Sequence, residues 1–99
     1  MSAYMVSQIR VHDRQLFQSY LEKSKAIAGP LGAELVVSAQ HDSVLNGDVA
    51  DHQLLVIAIF PSKEAIETWF NSEAYNEIVP LREQASHQVM SIYTDLPAG

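Results

Sequence analysis

From Ala3 to Val11 the chain alternates. Met5, Ile9 and Val11 fall on one side and Tyr4, Val6, Gln8 and Arg10 on the other, the period of a first strand. The period then changes to helical. Asp13 is placed as an N-cap, and Leu16, Phe17, Tyr20, Leu21, Ile27 and Ala28 line one face behind it. Gly29-Pro30 kinks or ends that helix, and Gly32 offers a left-handed stop. Leu35-Val36-Val37 begins a second strand, expected to pass through an irregularity near Ala39–Ser43 and reach Val44-Leu45. Asn46-Gly47 follows as the strongest hairpin signal in the chain. Gln53 to Phe60 is the next strand. Its run from Leu54 is apolar on both sides, which places it centrally with cover on both faces.

Pro61-Ser62 turns the chain, with Ser62 as a cap and Glu64 in the first turn of a second helical region. Ala65, Ile66, Trp69 and Phe70 form its buried stripe. Asn71-Ser72 interrupts the pattern, and Ser72 can cap a further helix carrying Tyr75, Ile78 and Val79. Pro80 is expected to break that helix and start a new turn with Leu81, Arg82 and Ala85, before a last strand from about Gln88 to Thr94. The order is β-α-β-β-α-β with the second helical region split. It predicts an α+β, ferredoxin-like domain over residues 1–99, an antiparallel sheet with its helices on one face. The other face needs cover, and a second copy of the sheet is the simplest source, which predicts a homodimer closed as a dimeric α/β barrel.

Composition narrows the function classes. Six Lys and Arg against twelve Asp and Glu give a formal charge of −6, and the basic residues form no run, so neither nucleic acid nor an anionic membrane is an expected partner. No apolar stretch approaches the roughly 20 residues of a membrane span. The start of the chain lacks the basic flank and apolar core of a signal peptide. With no cysteine there are no disulfides, thiolate nucleophiles or thiolate metal sites, and the cytoplasm is the expected compartment. The four glycines make no phosphate-binding loop and the serines no nucleophile elbow, so no cofactor is expected.

Phe60-Pro61-Ser62-Lys63-Glu64-Ala65, then Trp69-Phe70, Ser72, Glu73 and Tyr75, and finally Pro80-Leu81-Arg82, resemble a widespread uncharacterised bacterial family of the dimeric α/β-barrel superfamily. Tyr20-Leu21-Glu22 and Leu45-x-Gly47-Asp48 extend the resemblance over nearly the whole chain. It implies a homodimer in which two sheets form a barrel, with a small-molecule pocket between sheet and helices in each subunit. The superfamily holds cofactor-independent monooxygenases, isomerases and dehydratases beside members without an assigned activity, so fold does not bring function with it. Members often carry an Arg and two glycines after the second strand's apolar run. Here that region reads Val37-Ser38-Ala39-Gln40-His41-Asp42, so an anion held by that arginine in relatives need not be shared.

Two groups of side chains could carry chemistry. His12, His41, His52 and His87 include no pair at a local metal-ligand spacing, and no metal site is expected. His41 with Asp42 reads first as a solvated turn. His41 is still the best general base, because its ordinary pKa near 6.5 suits proton transfer at neutral pH. The second group is Trp69, Tyr75 and Arg82 as ligand-binding residues, with Arg82 also a candidate catalytic residue. Trp69 suits the core. Arg82, seven residues beyond Tyr75, shares its face only if helical geometry survives Pro80. An Arg can clamp a carboxylate and a Tyr hydroxyl can donate to a carbonyl or phenolate. The competing role for Arg82 is an ion pair with Glu83, Glu77 or a carboxylate across the dimer. Tyr20 and Tyr93 read as core or interface aromatics. The leading reading is a homodimer that binds or converts a small aromatic or carbonyl compound without a cofactor, by proton transfer or monooxygenase- or isomerase-like chemistry. The rival is a non-catalytic dimerisation or accessory protein.

Overall fold

The computed structural model describes residues 2–48 and 51–97. Its elements are β1 (Ala3–Val11), α1 (Arg14–Ala28), a 3-10 turn (Gly29–Leu31), β2 (Glu34–Gln40), β3 (Leu54–Phe60), α2 (Lys63–Phe70), α3 (Glu73–Ala85) and β4 (Ser86–Thr94). The four strands form one antiparallel sheet in the order β2-β3-β1-β4, the ferredoxin-like arrangement. No described helix is long and apolar enough to cross a membrane.

Each helix starts on the cap that its sequence supplies. The side chains of Asp13, Ser62 and Ser72 accept from the backbone N–H groups of Leu16, Ala65 and Tyr75, each cap contributing about 1 kcal/mol. After α1 the chain makes its 3-10 turn and reaches Gly32 at φ +85°. Glycine is required there twice over. The backbone is left-handed, and an added Cβ would lie 2.7 Å from Pro61 Cγ.

The register assigns the faces. Ala3, Met5, Ser7 and Ile9 of β1 lie level with Phe60, Ala58, Val56 and Leu54 of β3, and this side faces the helices. Trp69, Phe60, Tyr75 and Ile9 are its most deeply buried large side chains. The opposite side carries Tyr4 and Val6 beside Ile59 and Ile57, with Tyr93 at the β4 edge. Val89 and Tyr93 there are 52% and 57% exposed.

Phe70, expected in the buried stripe of α2, is 39% exposed, and three expectations about the elements change. First, β2 stops at Gln40 and does not reach Val44-Leu45. Beyond it the Gln53 carbonyl accepts from His41 N, while Gln53 N–H donates to the Ile9 carbonyl and its side chain accepts from Val11 N. Gly47 has φ +98°, yet Asn46-Gly47 sits inside a long connection and Leu45 is fully exposed. Second, the irregularity in β2 falls at Leu35–Val37, where the register slips by one residue. Third, Pro80 lies inside α3 and does not end it. Proline removes the bond its N–H would give to the Asn76 carbonyl. Pro80 and Asn76 are both exposed, so water can satisfy that carbonyl, while Tyr75, Ile78 and Ala85 keep the opposite face of α3 in the core.

Candidate functional site: an apolar cleft backed by a Tyr-Tyr-Arg chain

Small side chains on the helix-facing side of the sheet leave space beneath α1. Ser7, Val56 and Ala58 occupy the middle of β1 and β3, and Ala33 and Ser38 flank them on the β2 side. Meanwhile α1 makes its closest approach to α3, and Phe17, Tyr20 and Ala28 carry it into the core it shares with the sheet. The result is a half-open cleft of about 570 Å³ between α1 and the sheet. Met5, Ile9, Tyr20, Leu21, Phe60 and Trp69 are among its apolar lining residues, with Ser24, Gln18 and Gln88 among the polar ones. Its charged lining residues, Glu22 and Lys25, are exposed on α1. A cleft of this size, mostly apolar with a few polar groups, has the make-up of a small-molecule site.

Behind the cleft wall the aromatics interlock. The Trp69 ring lies 5.7 Å from Phe60 and 4.6 Å from Tyr75, centroid to centroid, and Tyr75 lies 5.2 Å from Phe70. Trp69 is fully buried, and its Nε1 has no hydrogen-bond partner among the described residues. The hydroxyls of Tyr20 and Tyr75 meet at 2.7 Å, and Arg82 Nη1 donates to Tyr75 Oη at 3.0 Å. Met90 Sδ lies 3.7 Å from both Tyr75 Oη and Arg82 Nη1. The Arg82 guanidinium also sits 5.7 Å from the centroids of Phe70 and Tyr75, within cation–π range. Its carboxylate contact, Glu83 at 3.9 Å, is long and mostly solvated. Burial pushes the Tyr20 hydroxyl well above the ordinary phenol pKa, and the adjoining Tyr75 adds to the rise; Ser24 and the Arg82 charge oppose it less strongly.

The structure thus brings Trp69, Tyr75 and Arg82 together, because α3 remains helical through Pro80 and residues seven apart share a face. Trp69 and Tyr20 line the cleft; Tyr75 and Arg82 do not, and they are joined to Tyr20 by hydrogen bonds behind its wall. His41 lies elsewhere, in a more open depression of about 680 Å³ with His12, His52 and Arg14. Its ring is 6.0 Å from that of His52. The two hollows share Gln18. No group of three or more His, Asp or Glu among the described residues could hold a metal ion. The sequence reading placed Tyr20 in the core or an interface, where the core holds it, but gave it no part in the site, and gave none to Ser7 or Met90. Tyr20 had a usable signal, since a tyrosine within an otherwise apolar helical stripe carries a hydroxyl that needs a partner when buried.

The family described as "Domain of unknown function (DUF1330)" matches residues 2–96. The chain belongs to that family. No curated protein matches it. Among solved structures, this DUF1330 chain is similar to the RPA0582 protein of unknown function from Rhodopseudomonas palustris. That match has a TM-score of 0.80 and 20% identity, covering 98% of this chain and 84% of that one. It is also similar to SnoaB, a cofactor-independent oxygenase from Streptomyces nogalater, with a TM-score of 0.70 and 13% identity over 98% and 95% of the two chains. A dimeric ferredoxin-like protein of unknown function from Thermobifida fusca matches with a TM-score of 0.60 and 9% identity over 94% and 90%. At these identities the likeness is one of fold.

Proposed function

We propose that this DUF1330 protein is a homodimeric α/β barrel whose cleft beneath α1 binds a small aromatic or carbonyl compound and converts it without a cofactor. The single observation that carries this reading is the cleft itself, about 570 Å³ of mostly apolar space left by Ser7, Val56 and Ala58 where the helices would otherwise pack down on the sheet. A flat ring suits walls built from Phe60, Trp69 and Tyr20. Proton transfer is the step that side chains alone can supply. In this reading Arg82 acts through Tyr75 and Tyr20. His41 takes a proton only from a ligand long enough to extend past Gln18 into the neighbouring hollow. The cofactor-independent oxygenase among the structural neighbours supports the class of chemistry by analogy of fold. The bare sheet face and the dimeric neighbour support the homodimer. The cytoplasm remains its expected compartment.

Thermal-shift screening with neutral two-ring aromatics tests the proposal, since a ligand that binds only the native state raises Tm. Hits are expected to lose their effect in Ala58→Leu, which fills the cleft floor. A Tm rise that survives this substitution places the ligand elsewhere and removes the reading.

One observation favours the rival, a non-catalytic dimerisation or accessory protein: Tyr75 and Arg82 are both engaged by protein groups. The open cleft speaks against it, and a screen without any ligand would leave the accessory role as the better account.

A further inference from the structure

The polar chain behind the cleft has a direction. A phenol offers one hydrogen and two lone pairs, whereas a guanidinium only donates. Arg82 Nη1 therefore commits one lone pair of Tyr75 Oη as an acceptor. The Tyr75 hydrogen then has two acceptors in reach, the Tyr20 oxygen at 2.7 Å and Met90 Sδ at 3.7 Å. The thioether is a weak acceptor, and Tyr20 oxygen the stronger one. With Tyr75 donating to Tyr20, the Tyr20 hydrogen is released for another acceptor, and Tyr20 is the member of the chain that lines the cleft. A donor that itself accepts from a charge-backed hydroxyl is polarised and donates more strongly.

From this geometry we infer that Tyr20 is the cleft's specificity-determining donor, recognising the carbonyl oxygen of a neutral aromatic ketone, quinone or related compound, with Tyr75 and Arg82 as positioning residues that orient and polarise its hydroxyl. The inference rests on the cleft being the ligand site. The uncharged inner wall fits it, since Glu22 and Lys25 lie exposed on α1 and Arg82 is screened behind Tyr75. The raised pKa of Tyr20 agrees, because a hydroxyl that keeps its proton serves as a donor and not as a base.

The test compares two probes of nearly equal shape, 2-acetylnaphthalene and 2-ethylnaphthalene, which differ in a carbonyl oxygen. Binding is measured by fluorescence titration, and the bound ketone's carbonyl stretch by infrared difference spectroscopy. In the wild type the stretch is expected at lower frequency than in a hydrocarbon solvent. Tyr20→Phe is expected to abolish that displacement and weaken the ketone roughly three- to tenfold, the worth of one net hydrogen bond, while 2-ethylnaphthalene stays within about twofold, as expected of a purely apolar probe. Arg82→Met, acting at a distance, is expected to lessen the displacement with 2-ethylnaphthalene again little changed. A bound ketone whose stretch is undisplaced in the wild type overturns the inference without recourse to any variant. So does a displacement that survives in Tyr20→Phe. Both results leave the cleft reading standing. If neither naphthalene binds the wild type, the cleft reading fails and this inference goes with it.

Discussion

Tyr20 shows how much one side chain can join. It stacks on Phe17 at 6.3 Å, meets Tyr75 edge-on and places its hydroxyl against the end of a chain anchored by Arg82. Because burial holds its pKa above the unfolded value near 10, the folded protein keeps a proton that the unfolded chain gives up as pH rises. The unfolded state then binds fewer protons, so this residue's contribution is intact below about pH 10 and declines above it. Urea unfolding of Tyr20→Phe is expected to show about 1 kcal/mol less stability than wild type at pH 7, the worth of the lost hydrogen bond. It is also expected to show a shallower decline between about pH 10 and 11, since the substituted ring has no proton to lose. Parallel alkaline profiles for the two proteins would show that Tyr20 is not the group responsible. Trp69 is the larger structural commitment: buried against Phe60 and Tyr75, its truncation to Ala belongs with losses of about 3–5 kcal/mol.

At the scale of elements, α3 and the exit from α1 make opposite predictions. Proline in a helix interior costs about 3 kcal/mol relative to Ala, less the gain from a stiffer unfolded chain. Pro80 is exposed and lies outside the buried core. Pro80→Ala is therefore expected to stabilise the protein by about 1–2 kcal/mol, a Tm increase on the order of 5–10 °C by calorimetry. An unchanged or lower Tm would mean that α3 has adapted to its proline without cost. Gly32→Ala runs the other way. With φ at +85° and Pro61 Cγ 2.7 Å from the new Cβ, the loss is expected to exceed about 1 kcal/mol. Tm measurements on Gly32→Ala beside Gly29→Ala provide the control, because Gly29 has open space around its Cβ position.

For the whole molecule, the question is what covers the sheet face carrying Val6, Ile57, Val89 and Tyr93. Monomers seldom leave such a face to water. Ile57 sits at its centre, level with Val6 on one side and Val37 on the other. Wild-type protein is expected to sediment with the mass of two 11.0 kDa chains at micromolar concentration, and Ile57→Asp with the mass of one, since an unpaired carboxylate in an apolar interface costs several kcal/mol, roughly enough to dissociate it. A wild-type mass of one chain would remove the barrel from the proposal. It would leave the cleft, which lies on the other side of the sheet and is built within one protomer.

Much of this was legible in the chain itself, wherever the deciding physics is local. Strand alternation from Ala3 to Val11, the caps Asp13, Ser62 and Ser72, the glycine at 32 and the apolar run of β3 each depend on neighbours in sequence, and together they determined the ferredoxin-like order. The site was only half legible. Tyr75 and Arg82 could be paired by counting residues along a helix, but whether Pro80 would let that helix continue depended on the core it packs against and on the solvated carbonyl of Asn76. The partnership of Tyr20 with Tyr75, 55 residues apart, and the space left by Ser7 and Ala58 beneath α1 came from how the elements stack. Packing between distant segments answers to volumes and hydrogen-bond partners that no stretch of sequence contains, so the tertiary structure alone decided where the cleft lies and which side chains line it.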